Sequence, residues 1–224
     1  MVKMAVKPYL KAMKHFLTLS LSLAALAAAS CSQAQDAHVI TDTFPAVAQP
    51  VSAVKSEAID RNWQKIDAQS HLKFTAKQQG NEFTGEFETF ETDIIFDPAN
   101  LWAASIKAVI DIKSVAAGSK DRDGALPGRD WFFVKKFPDA VFQSTEFSKT
   151  GEDSYEAAGT LSIKGVSQPL TLPFTLTITD GIADMNGQVT LDRTLWDVGS
   201  GPWSTDEWVS TSVVIDIKIK AEAI

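Results

Sequence analysis

The sequence predicts an all-β domain of about eight mostly antiparallel strands, and three observations carry that reading. From Trp63 onward the dominant hydrophobic period is two, the spacing of a strand with one dry face and one wet face. The alternating runs are separated by turn signals, "QQGN", "DPAN", "TGEDS", "KGVSQP" and "TDGI". Several runs last a dozen residues or more, against a usual strand of about five or six, and long coiling strands favour a closed barrel over a sandwich.

In chain order, residues 1–31 precede that domain. From Met13 the chain reads "MKHFLTLSLSLAALAAASC": a basic residue, an apolar run and then small residues, the pattern of a secretory signal. The run is shorter than the roughly 18 to 20 residues that span a bilayer. Ala28-Ala29-Ser30-Cys31 resembles the lipobox of bacterial lipoproteins, in which the cysteine is acylated and becomes the mature N-terminus, although Ala28 stands where Leu is usual. Cleavage after Ala34 in "SQA" is the alternative. Residues 32–60 are rich in Ala, Val, Ser, Gln and Pro without sustained periodicity and read as a flexible tether with a reach of about 30 Å. The expectation is an exported, periplasmic protein, held at the membrane if Cys31 is lipidated. Cys31 is the only cysteine, so no internal disulfide can brace the fold.

The domain itself occupies residues 61–224. Alternating runs cover about 63–78, 82–97, 102–115, 141–149, 153–164 and 182–193. Two more are especially clear. "PLTLPFTLTITD" sets Leu170, Leu172, Phe174, Leu176 and Ile178 on one face, and "VVIDIKIKA" sets Val213, Ile215, Ile217 and Ile219 against Asp216, Lys218 and Lys220. A barrel of eight strands is just wide enough to be filled by its own side chains or to hold one small ligand, and periodicity does not choose between the two. Residues 118–138 break the alternation. There "RDWFFVKKF" spaces Phe133 and Phe137 as neighbours on a helical turn, so an amphipathic insert is expected over one open end.

Composition narrows the function. The formal net charge of -7 over 224 residues disfavours nucleic acid, whose phosphates need a basic surface. His71 is the single histidine of the domain, on the strand face opposite Leu72 and Phe74; no nucleophile elbow, metal-ligand spacing or glycine-rich phosphate loop accompanies it. No metal, required cofactor or enzymatic activity is therefore expected.

The ordered segments "W-x-x-I-D-x-x-S-H-L-x-F" (Trp63 to Phe74), "G-E-F" (Gly85 to Phe87), "I-I-F-D" (Ile94 to Asp97), "R-D-x-x-L" (Arg122 to Leu126), "K-F-P-x-A-x-F-x-S-T" (Lys136 to Thr145) and "G-x-L-x-I-K-G-V-S-Q-P-L-x-L" (Gly159 to Leu172) resemble the YceI-like family. The resemblance covers residues 62–222. It implies an eight-stranded antiparallel lipocalin-like barrel with a short helical lid, exported from bacteria, holding a polyisoprenoid, an isoprenoid quinone or a fatty-acid derivative in an apolar interior. Gln79 stands where many members carry His before the first hairpin's Gly, and "RTLWDVGSGPWSTDEWV" is a tryptophan-rich variant of the family's Arg-x-x-Phe-Gly region.

Candidate ligand contacts are Trp131, Phe132, Phe133 and Phe137 in the insert, Leu126 and Arg122 ahead of them, Phe142 on the next strand, and Trp196 and Trp203 around the Gly-Ser-Gly-Pro turn. For the insert aromatics the alternative is anchoring to the barrel rim, with Trp131, Phe133 and Phe137 turned to the mouth in either case. Arg122 and Asp123 suit a polar head or, alternatively, a local ion pair that fixes the loop. At the level of function, the alternative to a carrier is an interaction module with a filled core.

Overall fold

The structure, a computed structural model, describes residues 62–224. The signal, the tether and Cys31 lie outside the described residues. Eleven strands form one sheet: β1 (Asn62–Lys65), β2 (His71–Gln78), β3 (Asn81–Phe87), β4 (Phe90–Ile95), β5 (Ser105–Asp111), β6 (Val115–Ala116), β7 (Asp139–Lys149), β8 (Ser154–Ile163), β9 (Val166–Thr179), β10 (Ile182–Asp192) and β11 (Ser212–Ala223). All pairings are antiparallel, in the order β1-β4-β5-β7-β8-β9-β10-β11, and β11 returns to β1 through Trp63 opposite Ala223. The barrel is closed, which leaves no long sheet edge to template aggregation.

The eleven strands are eight ribbons. A 3₁₀ turn at Asp67–Gln69 divides β1 from β2, and both pair with β11; a short break divides β3 from β4; a 3₁₀ turn at Ile112–Ser114 divides β5 from β6. Each kink lets a long ribbon bend as the barrel coils. Three hairpins close through pairs with positive φ at both residues: Gln79 (51°) and Gly80 (79°), Lys164 (52°) and Gly165 (80°), Asp180 (50°) and Gly181 (77°). This is the signature of the I′ turn, whose twist matches that of the flanking strands.

The period-two expectation holds in the long strands. Along β9, Leu172, Phe174 and Leu176 are buried while Thr171, Thr175 and Thr177 are exposed. One end of the barrel, where β7 turns into β8 and β9 into β10, is packed with rings. Phe96 meets Phe147 at 5.4 Å, Tyr155 at 5.6 Å and Phe174 at 6.1 Å between centroids, all edge to face. Such pairs add about 0.5–1.5 kcal/mol each beyond area burial. Trp63 Nε1 donates to the Phe96 carbonyl at 2.8 Å and fixes that residue at the floor.

The other end carries residues 117–138 and 193–211. Helix α1 (Lys120–Ala125) lies upstream of the aromatic run, so the helical turn expected over "RDWFFVKKF" is displaced. The aromatic run is a chain of turns instead, in which Phe133 takes a left-handed φ of 51°. Phe133 and Phe137 remain neighbours on one turn, with Phe137 N donating to the Phe133 carbonyl at 3.0 Å, but the reversal turns the pair away from the residues before it.

Candidate functional site

Inside the ribbons lies a cavity of about 850 Å³. Its walls are the inward side chains of the strands, such as Leu72 and Phe74 from β2 and Val213, Ile215, Ile217 and Ile219 from β11. Its floor includes Phe96 and Trp63. A volume within the roughly 300–1,000 Å³ of small-molecule sites, with apolar walls and few polar groups, is the form of a ligand pocket rather than of a packed core.

The mouth is roofed by two segments that share a buried cation. Arg193, at the end of β10, is 6% exposed. Its five N–H donors are all used on backbone carbonyls. Nε donates to Ser210 (2.9 Å), Nη1 to Val198 (2.7 Å) and Gly199 (3.2 Å), and Nη2 to Trp203 (2.5 Å) and Val209 (2.8 Å). The loop 194–211 has few strand partners for its own backbone, and the guanidinium supplies them. Gly199 has φ 79°, and a Cβ there would run into the guanidinium. Burial holds Arg193 below the ordinary arginine range, opposed by Asp206 and then Asp192.

The insert attaches to this hub. The Trp131 ring lies 5.3 Å from the Arg193 guanidinium and 5.8 Å from the Trp203 ring. The Asp130 carbonyl accepts from the amides of Gly199 (2.8 Å) and Ser200 (2.7 Å). Phe132 N donates to the Leu126 carbonyl at 3.0 Å, and the Phe132 ring stands 5.9 Å from that of Phe87.

Seven of the sequence-derived candidates line the cavity: Arg122, Leu126, Trp131, Phe132, Phe142, Trp196 and Trp203. Trp196 is also anchored, its Nε1 donating to the Leu161 carbonyl at 2.9 Å. Phe133 and Phe137 do not line it. They pack edge to face on each other at 6.1 Å, and Phe137 covers Gly165 at the β8–β9 hairpin. The left-handed turn at Phe133 is the physical reason, because Phe132 takes the inward position that helical spacing had given to Phe133.

The expected Arg122–Asp123 ion pair does not form. Asp123 Oδ1 instead accepts from Ala117 N at 2.6 Å, and Arg122 Nε donates to the Ala117 carbonyl at 3.0 Å. Both therefore fix the loop through the backbone of one residue. Arg122 Nη1 also reaches Gln78 Oε1 at 3.1 Å, and its guanidinium lies 4.3 Å from the Phe83 ring centroid. Two groups of lining residues escaped sequence reasoning. Arg193 gave no signal beyond its place in the Arg-x-x-Phe-Gly-like segment. Of the hairpin residues in the lining, Gln78, Gln79 and Asn81 read as a turn, Gln79 also as the place of a family His, and Glu82 as the start of a strand.

A family model described as the YceI-like domain matches residues 63–221, more than half of the chain. A UPF0312 protein of Yersinia pestis (strain Pestoides F) is 35% identical over 127 residues, which are 56% of this chain and 66% of that protein. One from Yersinia enterocolitica is 35% identical over 117 residues, 50% of this chain and 60% of its own length. The chain thus spans less than two thirds of these relatives. Among solved structures, Burkholderia cenocepacia BcnA superposes with a TM-score of 0.68 at 29% identity, over 70% of this chain and 99% of BcnA. A polyisoprenoid-binding domain from Saccharophagus degradans, implicated in plant cell wall breakdown, shares the fold with a TM-score of 0.56 at 15% identity, over 74% of this chain and 99% of that domain.

Proposed function

The chain belongs to the YceI-like family, and from that membership we propose that it is an exported carrier that holds one long-chain amphiphile, of polyisoprenoid, isoprenoid quinone or fatty-acid type, with its tail along the barrel axis. The observation that carries the reading is the continuous apolar cavity of about 850 Å³, which a filled interaction module would lack. At about 30 Å³ per water-sized atom, it accommodates about 28 non-hydrogen atoms. At about 0.3 kcal/mol per atom that is about 8 kcal/mol, a micromolar ligand. Binding is driven by apolar burial, so affinity should follow tail length.

Native mass spectrometry of the purified protein, followed by lipid extraction, tests the carrier reading. A copurifying amphiphile of that size is expected; if none appears and added long-chain quinones and isoprenoids do not bind, the reading fails. Lipidation at Cys31 would hold the carrier at the periplasmic membrane face, and Cys31→Ala should release it from the membrane fraction. Retention of the variant there would remove the lipid anchor from the proposal.

A further inference from the structure

We propose that the turn 133–137, seated on the β8–β9 hairpin, is the surface by which the domain rests on a phospholipid bilayer beside the mouth of its cavity. The carrier reading supplies a purpose for this contact, and the contact itself is testable without cargo. Of the insert aromatics, Phe133 and Phe137 alone stay outside the cavity lining. Phe133 holds a left-handed φ of 51°, where a bulky side chain is an outlier kept in place by its surroundings. That conformation turns its ring away from the apolar interior that Phe132 enters. Lys136 N and Phe137 N both donate to the Phe133 carbonyl, at 2.9 and 3.0 Å, closing a turn that sets the two rings edge to face. Lys135 and Lys136 are exposed between them, and Lys136 Nζ lies 4.9 Å from the Phe137 ring centroid. Both rings are half-buried, with Phe137 over Gly165 and Pro138 exposed beside it. On the same hairpin Gln168 Nε2 donates to the carbonyl of Leu195, whose side chain is 53% exposed.

The charge of this corner differs in sign from that of the chain. Within α1, Lys120 and Arg122 are balanced by Asp121 and Asp123. After α1, Arg129, Lys135 and Lys136 stand against Asp130 alone, and none of these three cations is ion-paired among the described residues. Asp111, Lys113 and Asp139, around the ends of β5 and β7, lower the sum from +2 to +1. Lys164 is paired with Asp197 at 3.1 Å, and the buried Arg193 cancels Asp192. Glu82, Glu86 and Glu88, on and after β3, belong to the β2–β3 side of the mouth, as do Asp206 and Glu207 beside the Trp208 carbonyl that accepts from Gln79 N. The corner is thus positive in a chain of net charge -7. Free lysines interleaved with half-exposed rings match a surface that offers phosphates above an apolar layer, whereas a soluble polyanion gives the rings nothing to enter. Trp131 and Phe132, next in the chain, line the cavity, so an amphiphile leaving the bilayer at this turn meets the mouth directly.

Amide exchange of the full chain, with and without vesicles of phosphatidylcholine and phosphatidylglycerol in a seven-to-three ratio, tests the proposal. The vesicles should slow exchange several-fold in residues 129–138 and leave residues 97–104 unchanged. The latter hold the rival contact, Trp102, which is 89% exposed at the floor end between β4 and β5. This readout is local, so attachment through residues 1–31 does not imitate it. A lysine near an anionic surface is worth about fivefold, so Lys135→Gln with Lys136→Gln should raise the lipid concentration that half-protects 129–138 by about tenfold. Phe133→Gly removes the ring and suits the left-handed backbone. Its urea midpoint should stay near that of the unaltered chain while the vesicle protection is lost. If its midpoint falls instead, the exposed lysine pair decides, and unchanged protection in that variant overturns the proposal. Protection of 97–104 in place of 129–138, protection of neither, or a dimer that covers 129–138 without vesicles overturns it as well. A chain that docks on vesicles but neither copurifies with nor binds an amphiphile loses the carrier reading and keeps this surface.

Discussion

Replacing Arg193 by Met keeps much of the aliphatic stem and removes all five donors from the roof of the barrel. The carbonyls of Val198, Gly199, Trp203, Val209 and Ser210 then lose their partner together. A hydrogen bond to a charged group is worth about 1.5–3 kcal/mol net, so a plain sum over five would be as large as the whole stability of a typical domain. Two effects reduce it: the guanidinium no longer bears its desolvation, and the loop relaxes to let some carbonyls reach water. Each buried acceptor left unsatisfied costs about 1–3 kcal/mol, and with some of the five carbonyls reaching water about 4 kcal/mol is the expectation here. With a urea slope of about 2 kcal/mol/M, the unfolding midpoint should fall by about 2 M. Arg193→Lys keeps the charge with three donors in place of five and should fall between the two. A midpoint shift below about 0.5 M for Arg193→Met, with unchanged slope, would refute the view that this residue organises the loop.

Three further outcomes are expected. Gly199→Ala places a methyl against the guanidinium in a left-handed backbone and should cost about 2–4 kcal/mol; in an Arg193→Met background only the backbone strain of about 1 kcal/mol should remain, a coupling that a double-mutant cycle in urea measures. Phe96→Ala removes the floor ring and should destabilise by about 3–5 kcal/mol, while a probe several carbons longer than palmitate gains affinity relative to palmitate in calorimetric titration. Asp206 is held below the ordinary carboxylate range by hydrogen bonds from the backbone and then the side chain of Thr211. Its stabilising contribution is therefore complete above its unfolded value of about 3.9 and is lost as pH falls through the lower folded value. Melting temperatures followed from pH 5 down to about pH 2 should fall less steeply for Asp206→Asn than for the unaltered chain.

The strands were legible because burial imposes period two on every ribbon, and the Gln79-Gly80, Lys164-Gly165 and Asp180-Gly181 turns carry the glycine that left-handed backbone demands. The kinks at Asp67–Gln69 and Ile112–Ser114 were not, since neither "DAQ" nor "IKS" contains a residue that forbids a continuing strand. Helix α1 was illegible for a related reason. "KDRDGA" has no apolar stripe, and its position is set by Asp123 accepting from Ala117 N rather than by any buried face of its own. In the aromatic run the pairing of Phe133 with Phe137 was legible and its facing was not, because a single positive φ at Phe133 exchanges inward and outward positions. Arg193 marks the limit of sequence reasoning. A lone arginine at a strand end looks solvated until the fold shows which carbonyls surround it.

The two roof segments differ in how firmly they are held, and that difference bears on how a ligand would enter. Loop 194–211 is tied by the five Arg193 bonds and by backbone bonds to β2 and its hairpin turn, Ser210 N to Lys77 O at 2.9 Å and Gln79 N to Trp208 O at 2.8 Å. The aromatic part of the insert is tied to that loop through Asp130 and Trp131. Helix α1 has six residues, none of them buried, and reaches the hairpin through Arg122, which bonds Gln78 and lies over the Phe83 ring. Opening at α1 therefore breaks the contacts of one part-buried side chain with the hairpin, whereas opening at 194–211 breaks a network around a buried charge. The charge and the aromatic surface of the insert thus have separate tasks. Trp131 and Phe132 close the apolar interior, and the charged residues of α1 form the edge that water can reach.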